Sequence, residues 1–321
     1  MSQTLAANSQ ALASSRYGAL GGMSGGRYVS GPSGVILGIV SFPGQGKSRL
    51  LQDNPDAFIF NLDLASTVTP GPCPATIWPV LSPTGEILND DGKPFQPSYD
   101  HVVQKLGILI SLAKNNQPRP KTIGFDTLSA WIYWLQRWMP PNAPKLNLSR
   151  EPQIDWKDLH GEAAWDWLYT HIRDTILSLK QAGYGVVVPM HVSNVKEKRK
   201  EGGNTVEITR RAVDVSDKLW RRIKPFFEFV GYLACVNEPV TTTRTITSVV
   251  GGRELKQTKT EVVTVPVRKI FTVDAEMNDY LKPRVGLPPV IDLSGPNAWQ
   301  AFEKVYNTAM QPPAPPAQNQ Q

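Results

Sequence analysis

The stretch GVILGIVSFPGQGKSRLLQ, residues 34–52, decides how the rest of the chain is read. It opens with an apolar, β-branched run of the kind that forms a strand buried on both faces. A glycine-bearing turn follows, and Lys47 to Gln52 then begin a short helix. Strand, tight turn and helix in that order gather backbone N–H groups and a helix N-terminus around one point, an arrangement that binds phosphate. Gly44 and Gly46 stand where the backbone must curl through dihedrals that disfavour a Cβ. Lys47 brings a point charge and Ser48 a hydroxyl able to ligate Mg²⁺. Pro43, Gly44, Gln45, Gly46, Lys47, Ser48 and Arg49 are therefore the candidate nucleotide-binding residues. Ser41 occupies the position where the phosphate-loop pattern has its first glycine, at the strand exit, where the dihedral demand is least severe.

Working outward, three more apolar segments read as strands: AFIFNLD (57–63), TIGFD within PKTIGFDTLSA (ending at Asp126), and GYGVVVPMHVS (ending near His191). Helices separate them. DTLSAWIYWLQRWM places Trp131, Trp134 and Trp138 on one helical face, read as core rather than as a base-stacking platform. EAAWDWLYTHIRDTILSLKQAG stops at Gly183, a helix C-cap signal. Strands alternating with helices predict an α/β fold with a mostly parallel sheet. In such sheets ligands bind beyond the C-terminal strand ends. Asp126, an Asp closing an apolar strand, is there the second candidate Mg²⁺ ligand beside Ser48.

Residues 66–100 hold seven prolines and read as an irregular insertion with one small hairpin near Thr84-Gly85. A helix is expected at 215–230. Residues 240–275 alternate with period two around Gly251-Gly252, predicting an antiparallel β-hairpin extension. The acid-free Gly/Ser/Ala-rich segment 1–32 and the Pro/Gln segment 309–321 read as flexible tails, leaving one domain over 33–308. Cys73 and Cys235 lie far apart and the four histidines form no HExxH pair, which argues against a disulfide framework or zinc centre. No apolar run is long enough for a membrane span, so no membrane partner and a cytoplasmic location are expected. A net charge of +6 favours an anionic partner.

GIVSFPGQGKSRLL, FIFNLD, TIGFDTLSAW, GVVVPMHVS and the late YLKPRVGLPPVIDL together resemble, over residues 34–305, the RecA-like ATPases of the phage recombination type. These belong to the AAA-domain nucleotide-binding proteins common in bacteriophage genomes. The resemblance implies a RecA-like P-loop NTPase core that binds ATP and Mg²⁺ and hydrolyses ATP. It implies that Asp63 orients the attacking water, although RecA itself has a glutamate there, and that His191 senses the γ-phosphate. Lys47, Asp63, Asp126 and His191 are then the candidate catalytic residues.

The resemblance also makes SNVKEKRKEGGNTVEITRR (193–211) a loop that contacts single-stranded DNA through Lys196, Lys198, Arg199, Lys200, Arg210 and Arg211. Those six cations face only Glu197, Glu201 and Glu207, and no aromatic accompanies them. Lys282 and Arg284 would act in trans on a neighbour's γ-phosphate, which requires a homo-oligomeric ring or filament. A single-strand-binding or annealing protein is a further implied partner. Two other readings stay open: an ATP-driven helicase or packaging motor, and a nucleotide-binding switch or scaffold with little turnover.

Overall fold

A computed structural model describes residues 35–64, 73–82, 84–159, 161–201, 204–250, 253–277, 279–284, 286–295 and 297–310. The expected tail at 1–32, residues beyond Met310, residues 202–203, the expected turn at 251–252 and residues 65–72 lie outside the described residues.

The strand read from the opening stretch is β1 (Ile36–Ser41), every residue of it buried. Alternation sends Ile36 and Val40 to one side of the sheet and Leu37 and Ile39 to the other. Around it lie β2 (Ala57–Asn61), β3 (Thr76–Trp78), β6 (Thr122–Asp126), β7 (Gly185–Glu201) and β9 (Phe229–Val250). These pair in parallel in the order β9-β1-β7-β6-β2-β3. Antiparallel β10 (Arg253–Phe271) and β11 (Val290–Asp292) extend the β9 edge, while β8 (Asn204–Val213) pairs with β7 alone. A separate two-stranded sheet joins β4 (Val80–Leu81) to β5 (Ile87–Leu88).

Helices cover both faces. On one side, α1 (Lys47–Gln52) and the C-terminal α6 (Ala298–Met310) bring Leu50, Leu51, Trp299 and Phe302 against Leu37, Ile39 and Phe229. On the other, α2 (Tyr99–Lys114), α3 (Leu128–Asn142), α4 (Gly161–Gln181) and α5 (Asp217–Ile223) bury Val102, Trp131, Leu168 and Trp220 against Ile36, Val40 and Phe125. The mixed α/β class with a mostly parallel central sheet and a C-terminal antiparallel pair is as expected. Trp131 is a core residue, fully buried and stacked on Phe125 at 4.0 Å between centroids. Gly183 ends α4 at φ +84°, and Tyr184 N bonds back to Leu179 O.

Several boundaries differ from the sequence reading. The fourth strand does not end near His191 but runs on to Glu201, so residues 193–201 pair with β8 as an antiparallel β-ribbon where a loop was expected. The helix expected at 215–230 is only α5 and a 3-10 turn at Lys224–Phe226, because Phe229 to Tyr232 pair in parallel with β1. The hairpin expected at 240–275 accordingly begins earlier, its antiparallel pairing starting at Tyr232 opposite Phe271. The proline-rich segment is not wholly irregular: it contributes β3 to the main sheet, and its small hairpin forms around Gly85 at φ +85°. Helix α2, with Ser98 and His101 in a capping box, was not anticipated. The final helix runs to Met310, slightly into the expected tail.

Candidate functional site

Four parallel strands, β1, β7, β6 and β2, deliver the candidate residues to one edge. β1 ends at Ser41, which pairs in register with His191 on β7, and β6 ends at Asp126 opposite Asn61 on β2. β7 lies between β1 and β6, so the strands carrying the glycine turn and Asp126 are about 10 Å apart. The turn and α1 bridge that gap: the Ser48 hydroxyl comes near enough to the Asp126 carboxylate to favour its charged form.

The turn has the backbone its sequence demands. Gly44 and Gly46 adopt φ +78° and +92°, left-handed conformations that favour glycine, and Leu50 N closes the first helical bond to Gly46 O at 2.9 Å. Ser41 needs no such conformation, since among described non-glycine residues only Asn116 and Asn147 have positive φ. Its hydroxyl and carbonyl each accept from Lys47 Nζ at 3.0 Å, and Phe42 O accepts at 3.1 Å. The departure from glycine thus adds an acceptor that holds the lysine. Lys47 is buried, and burial pushes its pKa down to about 8 against the attraction of Asp126 and Asp63.

Asp126 is only 2% exposed. Burial pushes its carboxyl up to about 6; Asp63 adds to the rise, while the Ser48 hydroxyl, Lys47 and His191 oppose it. One carboxylate oxygen, Oδ1, is buried without a hydrogen-bond partner. Such an orphan is costly unless a ligand completes it. Its carbonyl accepts from Leu62 N (2.8 Å) and Asp63 N (2.9 Å), hanging the Asp63 turn on the end of β6. Trp134 Nε1 fixes the same turn through Leu62 O at 2.9 Å. Thr127 caps α3 by accepting from Ala130 N. Asp63 is 39% exposed and lies 3.6 Å from His191 Nε2, whose Nδ1 is buried without a partner.

Lys47, Ser48, Asp63, Asp126 and His191 are therefore brought together. Two predicted loop residues are not directed there by their side chains. Gln45 accepts from Cys235 N on β9 (2.6 Å), and Arg49 pairs with Asp53 at 2.8 Å. A cation that the sequence reading missed, Arg268 on β10, takes the place beside the turn: its Cδ is 3.2 Å from where a Gly46 Cβ would fall. Its guanidinium also approaches Asp53 at 3.9 Å. Nothing local marks Arg268, because its nearness depends on the β9–β10 pairing. A cavity of about 980 Å³ also adjoins Asp63 and Thr127, walled by Tyr133, Trp134 and Arg137.

The expected DNA contacts divide. Lys196 pairs with Glu207 across the ribbon at 2.6 Å. Arg210 and Arg211 lie at its root, opposite Val195 and Asn194. Arg210 donates to Tyr280 Oη (3.2 Å). Arg211 pairs with Glu276 (2.8 Å) and Asp274 (3.7 Å), and its guanidinium lies over the rings of Phe42 and Tyr232. It thereby ties the ribbon to the glycine turn. Lys198, Arg199 and Lys200 belong to β7, with side chains outside the described residues.

Lys282 and Arg284 make contacts within the chain. Lys282 bridges Val230 through its backbone and donates Nζ to Pro225 O at 2.9 Å. Arg284 donates to Tyr306 Oη (2.8 Å) and lies 3.6 Å from Glu228.

Among the described residues, no group of three or more His, Cys, Asp or Glu is placed to hold a metal ion by itself. The Ser48 hydroxyl and the orphaned Asp126 oxygen are nevertheless hard oxygen donors of the sort Mg²⁺ takes singly or in pairs, with water and phosphate completing its shell. No helix among the described residues is long and apolar enough to cross a membrane. Compared with known proteins, the sequence matches no family model and no curated protein.

Proposed function

We propose that this chain is a Mg²⁺-dependent ATP hydrolase with a RecA-like core that acts on single-stranded DNA. The observation that carries the reading is the buried pair of opposite charges at the edge of the sheet. Lys47 and Asp126, both nearly dry, sit with Ser48 beside a turn whose glycines hold left-handed backbone conformations. Each charge is disfavoured by burial, which a bound phosphate and cation would offset.

In this reading the 43–49 backbone and Lys47 bind the phosphates. Ser48 and Asp126 would hold Mg²⁺, which supplies charge neutralisation when bound. Asp63, partly exposed and hung from the Asp126 carbonyl, would orient water, and His191 lies 3.6 Å from it on the strand that continues into the ribbon. Because His191 and the ribbon are one continuous strand, a change at the phosphate end has a direct mechanical route to Lys196–Glu201. The competing reading, a nucleotide switch with little turnover, is favoured by one observation: Asp63 already faces His191 at 3.6 Å.

ATP hydrolysis by wild type and Lys47→Ala, with and without single-stranded DNA at low and moderate salt, tests this. The expected result is turnover raised by DNA and reduced by Lys47→Ala by roughly 100-fold or more. Turnover indifferent to Lys47 would overturn the hydrolase reading. Tight nucleotide binding without turnover would establish the switch instead.

A further inference from the structure

A second cavity, of about 790 Å³, opens on the face covered by α3–α5, between α5, the 3-10 turn after it and residues 279–283. Four cations converge there, Arg210, Arg221, Lys224 and Lys282, against two acids, Asp217 and Asp279. Arg210 lies at the ribbon root, while Lys282 is bridged to Val230, which itself pairs with Gly38 well inside β1. The cavity thus reaches from Arg210 at the root of the ribbon, past α5 and the 3-10 turn, to the 279–283 segment beside β9.

The two lysines form a reciprocal clasp. Lys224 Nζ donates to Asp279 O at 2.5 Å, and Lys282 Nζ donates back to Pro225 O at 2.9 Å. Both acceptors are neutral carbonyls, so neither bond cancels a charge. Burial lowers the proton affinity of Lys224; Asp279 opposes that and the neighbouring Lys282 adds to it. Gathering like charges at the wall of a cavity raises the free energy of the empty site, and an anion inside relieves it.

We propose that this cavity binds backbone phosphates of a single nucleic-acid strand passing from the root of the β7–β8 ribbon along α5 to the 279–283 segment. The proposal rests on the DNA-acting part of the reading above and gives that strand a path distinct from the ribbon tip. Phosphate contact of this kind carries no base preference.

The test is fluorescence anisotropy of a labelled oligothymidylate titrated with protein between 50 and 300 mM salt. Glutamine keeps a donor for each carbonyl while removing the charge, so the variant is Lys224→Gln/Lys282→Gln. For single strands each phosphate contact contributes about 0.7 to the log–log salt slope, so this variant is expected to lose roughly 1.4. At 50 mM salt that corresponds to about 60-fold weaker binding. Asp279→Asn, which leaves the carbonyl clasp intact, is expected to tighten binding severalfold; a purely structural clasp would not respond. If the double variant does not fold, Arg221→Gln (slope reduced by roughly 0.7) and Asp279→Asn decide. Wild-type slope and affinity in these variants would overturn the proposal, as would absence of salt-dependent binding by the wild type. Failure of the nucleotide reading is separate: it appears as turnover that ignores Lys47→Ala.

Discussion

Replacing Asp126 by asparagine should remove a pH dependence that the wild-type fold carries. The native carboxyl holds its proton to about pH 6, whereas an unperturbed carboxyl releases it near 3.8. Between those values the native state binds the extra proton, so stability falls as pH rises through the window. A shift of about two units corresponds to roughly 3 kcal/mol, present as a penalty above pH 6 and absent below about 4. Lys47 stays charged throughout, since its pKa is depressed only to about 8. Asparagine also changes the contact with Ser48, but that offset does not titrate. The informative quantity is therefore the stability of Asp126→Asn minus that of wild type, from urea unfolding without nucleotide at several pH values. It should grow by roughly 3 kcal/mol between pH 4 and 7. A difference that stays flat, or shrinks with rising pH, would refute the claim that Asp126 is a buried, underpartnered carboxylate.

The same titration predicts that Mg²⁺-nucleotide affinity, measured by calorimetry, rises as pH passes through about 6 and Asp126 ionises. Gly124→Ala would place a Cβ 2.4 Å from Leu51 Cδ2 on α1. Its expected cost is about 1–3 kcal/mol in urea unfolding, with weaker nucleotide binding that Leu51→Ala partly restores. Arg211→Ala removes the stack on Phe42 and Tyr232 and the pair with Glu276. It should cost about 1–2 kcal/mol, and Arg211→Lys should not recover it, because only the planar guanidinium stacks and forks at once.

Much of the candidate site was legible because its signals are local. Left-handed glycines and apolar runs ending in Asp126 and His191 depend on neighbours a few residues away. Helix α2 has a local signal as well, since Val102, Leu106 and Leu109 repeat at helical spacing just after the proline-rich segment. The reading of 215–230 as helix failed for a different reason. Phe226, Phe227, Phe229 and Val230 suit either a helix or a strand, and only the parallel partner β1 selects the strand from Phe229 onward. His191 looked like a strand terminus because the apolar run stops there, yet the polar residues beyond it continue as strand once β8 supplies the ladder.

The sequence by itself determined the strand–turn–helix unit, the α/β class and the residue types offered at the strand ends, since backbone sterics and hydrophobic periodicity act over short spans. Only the tertiary structure decided that β7 lies between β1 and β6 while Ser48 still reaches Asp126. It also decided that Arg268 rather than Arg49 lies against the turn, and that Arg211 locks the ribbon to Phe42. Lys282 and Arg284 likewise find partners within their own chain. Strand order and charge partnering are long-range choices, settled by which surfaces bury one another, and no local stretch of the chain encodes them.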